Sequence, residues 1–210
     1  MIHELRTYTF HPGKLPDYLK LAEEVGRPVR GNDYGVNLGY WTSEIGTLNQ
    51  IWHVWQYESL DEREAMRRKL ARNAAWRSEY IAKIRDLVQM REIRFLHPAI
   101  DFKPPTAAGN VYELRHYQCR TGDGSFLRAF EAALPVRAKY SEPVCLWQCE
   151  APLPNNVFHL WAYPDLNARA DIRARAAADP EWQDFLKETG PLLARTETMI
   201  LLPTNFSPAK

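Results

Sequence analysis

The chain carries one pattern twice. Residues Ile2-His3-Glu4-Leu5-Arg6-Thr7-Tyr8 return as Val111-Tyr112-Glu113-Leu114-Arg115-His116-Tyr117. The stretch Gln50-Ile51-Trp52-His53-Val54-Trp55-Gln56-Tyr57 returns as Asn156-Val157-Phe158-His159-Leu160-Trp161-Ala162-Tyr163. The offset from His53 to His159 then holds without a gap through Leu60/Leu166, Arg63/Arg169, Arg67/Arg173, Trp76/Trp182, Leu87/Leu193 and Leu96/Leu202. This period exceeds the roughly 20–50 residues of a solenoid unit and has the size of a small domain. Two copies of one fold are therefore expected head to tail, and any site in the first has a diverged twin in the second.

Each copy reads β-α-β-β-α-β. Residues 2–10 alternate, with Glu4, Arg6 and Tyr8 on one face, before His11-Pro12-Gly13 breaks the strand. Leu15, Tyr18, Leu19, Ala22 and Val25 follow helical spacing, and Gly26 and Pro28 are expected to end that helix. Residues 39–43 and 50–57 form a hairpin around the turn at 44–47. Ser59-Leu60-Asp61-Glu62 has the capping-box form, and Asp179-Pro180 is a strong helix start. A last strand is expected over 92–96. That order implies α+β architecture: two tandem ferredoxin-like units, residues 1–98 and 111–210, joined by a proline-containing linker at 99–110.

The third strand groups its residues by parity. Trp52/Phe158, Val54/Leu160 and Gln56/Ala162 share one face; Ile51/Val157, His53/His159, Trp55/Trp161 and Tyr57/Tyr163 share the other. The first group suits packing under helices. The second would leave a bare aromatic patch, which usually marks a partner surface or pocket. Two such sheets facing each other would bury both patches and enclose an apolar cavity with a few convergent polar groups, the usual form of a small-molecule site. The expected ligand-binding residues are Glu4, Arg6, Tyr8, His53, Trp55 and Tyr57 with Glu113, Arg115, Tyr117, His159, Trp161 and Tyr163.

Composition narrows the classes. A net charge of +1 over 210 residues, without a long basic run, leaves no electrostatic footprint for nucleic acid. No apolar run approaches the roughly 20 residues that span a bilayer, and the first strand pattern follows Met1 directly, so a cytoplasmic location is expected. Cys119, Cys145 and Cys149 have no zinc or redox spacing and read as reduced thiols. No metal or other cofactor is expected.

Glu4-Leu5-Arg6-Thr7-Tyr8, Gly13-Lys14-Leu15, Gly39-Tyr40-Trp41, Gly46-Thr47-Leu48-Asn49-Gln50, His53-Val54-Trp55-Gln56-Tyr57, Leu60, Arg63 and Trp76 together resemble the NIPSNAP family. In the second copy the resemblance covers residues 113–117 and 159–163 with Arg169 and Trp182, whereas Ala151-Pro152-Leu153-Pro154-Asn155 replaces the Gly-x-Leu-Asn turn. The resemblance implies the dimeric α/β-barrel architecture, here as an intramolecular pseudo-dimer that could pair further into homo-oligomers. That superfamily includes antibiotic-biosynthesis-type monooxygenases, haem-binding enzymes and domains without known chemistry, so fold transfers better than function.

Among single residues, His53 and His159 have the chemistry of a general base or a ligand, against a plain structural histidine. Arg6 with Glu4, and Arg115 with Glu113, form an ion-pair lattice most cheaply; a carboxylate clamp is the other use. Trp76 and Trp182 read as core, Arg63 and Arg169 as structural. No phosphate loop, Gly-x-Ser-x-Gly or His-Glu-x-x-His is present. The leading expectation is binding of a small, partly apolar molecule. The alternatives are a cofactor-independent monooxygenase or related barrel enzyme with a histidine base, and a protein-interaction scaffold.

Overall fold

Eight strands and seven helices organise the chain in a computed structural model that describes residues 1–120 and 122–210. Two units result: Met1–Phe95 with Leu202–Ala209, and Leu96–Leu201 with Lys210. In the first, β1 (Ile2–Phe10) pairs antiparallel with β3 (Gln50–Tyr57), from Ile2 opposite Tyr57 to Thr9 opposite Gln50. Strand β2 (Val36–Ile45) flanks β3, its register shifted by a bulge between Asn37 and Gly39, and β4 (Val88–Pro98) flanks β1. In the second, β5 (Val111–Cys119) lies between β7 (Val157–Tyr163) and β8 (Leu193–Pro203), and β6 (Cys145–Ala151) lies outside β7. Both sheets thus place the unit's fourth strand beside its first and its second beside its third. With two helical crossovers, this is the ferredoxin-like arrangement.

Local chemistry fixes the elements. Asn49 and Asn155 close their hairpin turns with φ of 55° and 65°, a left-handed region that asparagine tolerates better than other side chains. Helix α3 (Leu60–Arg72) is capped by Ser59, whose Oγ accepts from the Glu62 N–H at 3.1 Å. The Glu62 carboxylate reaches back one residue further, to the N–H of Glu58. Asp165 and Asp179 cap α6 (Leu166–Ala177) and α7 (Pro180–Thr189) in the same way, each such cap contributing about 1 kcal/mol.

The helices of the first unit differ from expectation. Helix α1 (Leu15–Leu21) does not stop at Gly26 or Pro28 but passes through a π-helical turn, Ala22–Gly26, into α2 (Arg27–Arg30). Pro28 has no N–H to give to the helical ladder, and it follows directly on the π turn, where the regular i→i−4 pattern is already interrupted. A second π-helical stretch, Trp76–Ile81, leads into α4 (Ala82–Ile84). The second unit uses regular helices at both places: α5 (Ser125–Ala138) and α7. No helix among the described residues is long and apolar enough to cross a membrane.

Candidate functional site

The sheet face bearing His53, Trp55 and Tyr57 packs beneath the helices of its own unit. Trp55 shares one core with Tyr18, Ala22, Trp76 and Tyr80, and Trp161 shares another with Phe126, Phe130, Trp182 and Phe185. This overturns the expectation that these faces turn away from their helices to line a cavity between two sheets. The reason is physical. Both parities of β3 and β7 are buried, and when both faces of a strand are apolar, alternation groups side chains without saying which group meets the helices.

In both copies the histidine is tied to the tryptophan two residues on. The indole Nε1–H of Trp55 donates to His53 Nδ1 at 2.6 Å, and Trp161 does the same to His159. Since Nδ1 accepts, the ring proton resides on Nε2, and in both residues Nε2 is buried without a hydrogen-bond partner. Burial, then the nearby Arg6 and Arg30 or Arg115 and Arg173, hold both imidazoles well below their ordinary pKa. They are neutral donors. Tyr8 and Tyr117 meet these rings edge-to-face, at 5.1 and 4.6 Å between centroids.

The glutamates form the centre of a lattice. Glu4 is fully buried and binds Arg6 Nη1 at 3.0 Å and Arg63 Nε through its other oxygen. Glu113 binds Arg115 at 3.0 Å, Arg169 at 2.7 Å and Arg173 at 3.5 Å, and accepts from the Thr198 hydroxyl at 2.8 Å. Burial alone would raise these carboxyls; the surrounding guanidiniums hold both below their usual range.

Sequence reading passed over one pair. Pro28-Val29-Arg30 returns as Pro135-Val136-Arg137. Arg30 lies 3.2 Å above the Trp55 ring centroid and donates to the Tyr57 hydroxyl at 2.8 Å. Arg137 stands 4.4 Å from the Trp161 ring centroid and donates to the Tyr163 hydroxyl at 3.4 Å. The tripeptide repeat was the available signal. It was obscured because its offset differs by one residue from that of the third strand, and because Pro28 suggested a helix end.

The two copies part at the space beneath their helices. In the second unit a cavity of about 220 Å³ opens between sheet and helices, bounded by Arg115, Arg137, His159, Trp161, Trp182 and Phe185 among others. Trp182, expected as plain core, is part of this wall. The corresponding cleft of the first unit measures about 10 Å³, hardly room for one water. Three side chains fill it. Tyr40 stacks on His53 at 4.3 Å, Tyr80 lies against Trp76 at 4.7 Å, and Arg27 reaches to 5.2 Å from the Trp55 ring centroid. Tyr18 joins the two tyrosines through hydroxyl contacts of 3.2 and 3.1 Å. Leu134, Leu146 and Leu186 hold the three equivalent places in the second unit; Leu146 sits opposite His159 as Tyr40 sits opposite His53.

Elsewhere, Cys145 and Cys149 are buried and Cys119 is half-buried. Among the described residues no group of three or more His, Cys, Asp or Glu is placed to hold a metal ion.

Comparison with known proteins places this geometry. The human protein NipSnap homolog 3A is 29% identical over 218 residues, covering 100% of this chain and 86% of its own length. The Dictyostelium discoideum NipSnap homolog is 28% identical, covering 98% and 88%. A monooxygenase-like protein of Fusobacterium nucleatum superposes with a TM-score of 0.73 at 13% identity, covering 97% of this chain and 92% of its own. That likeness concerns fold alone, and it agrees with a fold class of tandem ferredoxin-like units. The family model for NIPSNAP matches residues 3–101 and again 112–208. The chain belongs to the NIPSNAP family.

Proposed function

We propose that the protein binds a small, partly apolar molecule in the cavity of its second unit. One observation carries this reading: Arg27, Tyr40 and Tyr80 line the closed cleft of the first unit, whereas the second unit has the smaller Leu134, Leu146 and Leu186 at these positions and an open cavity bordered by Leu186. A packing defect of that size costs stability, on the order of 20 cal/mol per Å³ of void left in a core. Aromatic walls with a few buried polar groups are the usual lining of a small-molecule pocket. The expected outcome is saturable quenching of tryptophan emission by neutral aryl or alkyl alcohols such as 1-naphthol, abolished by Leu186→Tyr, which restores the first unit's plug. A panel of such alcohols that leaves the emission unchanged up to their solubility would refute the reading.

Cofactor-independent oxygenation in the same cavity is the second reading, suggested by the whole-length likeness to a monooxygenase-like protein. It needs His159 as a base. The indole of Trp161 occupies Nδ1 and the proton sits on Nε2, so the ring must surrender the indole bond before it can accept a proton. Binding is the more economical use of this arrangement.

A further inference from the structure

The cavity wall of the second unit is one-sided in charge. Arg115, Arg137 and Arg173 border it, and no aspartate or glutamate among the described residues does. Arg115 and Arg173 are already engaged by Glu113. Arg137 is not. It is 4% exposed, and the Tyr163 hydroxyl accepts from its Nη2. No carboxylate pairs with it among the described residues, and its Nη1 is buried without a partner. The second orphan donor at the same wall is the Nε2–H of His159. A buried guanidinium lacking a counter-ion is a costly arrangement unless something else supplies the anion.

Resting on the binding reading above, we propose that this cavity takes a small organic carboxylate, its two oxygens received by Arg137 and His159 and its apolar body by Phe130, Trp182 and Phe185. The chemistry selects a carboxylate. One guanidinium edge and one imidazole N–H on the same wall supply two or three donors, a match for two oxygens. A phosphate dianion would call for more donors than remain, because the neighbouring arginines are spent on Glu113. The aromatic rings close on one another, with Trp182 and Phe185 at 4.7 Å and Phe130 and Phe185 at 5.5 Å between centroids. That wall suits a flat or chain-like hydrocarbon body. The first unit shows the same arginine without the vacancy: Arg30 is pressed onto Trp55 and held by Tyr57 in a cleft with no room for a ligand.

The test is a calorimetric titration with three probes of equal apolar body: 3-phenylpropanoate, 3-phenylpropan-1-ol and 3-phenylpropylammonium. The acid is expected to bind about tenfold or more tightly than the alcohol, the value of one charge-assisted hydrogen bond, with the ammonium weakest. Arg137→Gln should lower the affinity for the acid at least tenfold more than that for the alcohol, so that the acid loses its preference, and Arg137→Lys should keep part of it. If Arg137→Gln does not melt cooperatively, the order of the three probes on the unaltered protein still decides. An alcohol or ammonium that binds as tightly as the acid overturns the anion assignment and leaves the binding reading standing. Failure of all three probes to bind overturns both.

Discussion

His53 and His159 show how burial turns a switchable side chain into a fixed one. Each is stripped of water, has arginines for neighbours and uses Nδ1 to accept an indole N–H. His3 is a third case, lowered by burial to about 4. All three are neutral in the folded chain, whereas in the unfolded chain they titrate near pH 6.5. Stability from these groups is therefore complete above about pH 6.5 and falls as pH drops below it, because only the unfolded chain takes up the protons. Each histidine adds a slope of up to about 1.4 kcal/mol per pH unit. Glu4 and Glu113, whose folded pKa values are depressed, contribute in the same direction only as pH approaches their lower range. Urea unfolding between pH 7 and 5 should show this loss, and His159→Asn should remove about one of the three proton uptakes from the slope. An unchanged slope in that variant would mean that His159 takes up its proton equally in the folded and the unfolded chain.

At the scale of the element, the first unit's π-helical turns and its tyrosine plug belong together. Gly26 ends the Ala22–Gly26 turn, and a Cβ placed there would come within 2.6 Å of the Tyr80 ring. Tyr80 itself lies in the second π-helical stretch. The second unit has Ala133 and Leu186 at these two positions, on regular helices. Gly26→Ala should thus destabilise the chain by about 1–3 kcal/mol through overpacking, and Tyr80→Leu in the same chain should recover part of that loss. A double-mutant cycle in urea measures the coupling. Strict additivity would show that Gly26 is needed by the backbone and not by the ring. Little of this was legible beforehand. Helical spacing located Tyr18, Ala22 and Val25 on one stripe, but a π turn inserts a residue into the repeat and leaves no mark in the spacing of apolar side chains. The caps at Ser59 and Asp179 were legible because a cap depends on its neighbours in sequence alone.

Over the whole molecule, the repeat made the ferredoxin-like order of both units readable, and the family with it. Which face of each sheet the helices cover was not readable, because Trp52 and Val54 are as apolar as Trp55 and Tyr57 and all four are buried. Nor could the repeat show that the two copies had diverged in what they leave empty. That difference rests on single substitutions of large polar-tipped side chains by leucine, visible only once each pair is placed opposite the same histidine and tryptophan. The structure therefore makes a demand on binding stoichiometry. The unaltered chain should bind one molecule of 3-phenylpropan-1-ol, since of the two equivalent clefts beneath the helices the second unit's has the room. Giving the first unit the second unit's residues, Arg27→Leu with Tyr40→Leu and Tyr80→Leu, removes three plugs while keeping Arg30, His53 and Trp55. The variant loses the hydroxyl contacts to Tyr18 and gains a void, so it should melt at a lower temperature. Provided the melt stays cooperative, titration should then give two molecules per chain, and added probe should raise its melting temperature more than that of the unaltered chain. A stoichiometry that remains at one, in a variant that folds, would show that these three side chains are not what separates the open unit from the closed one.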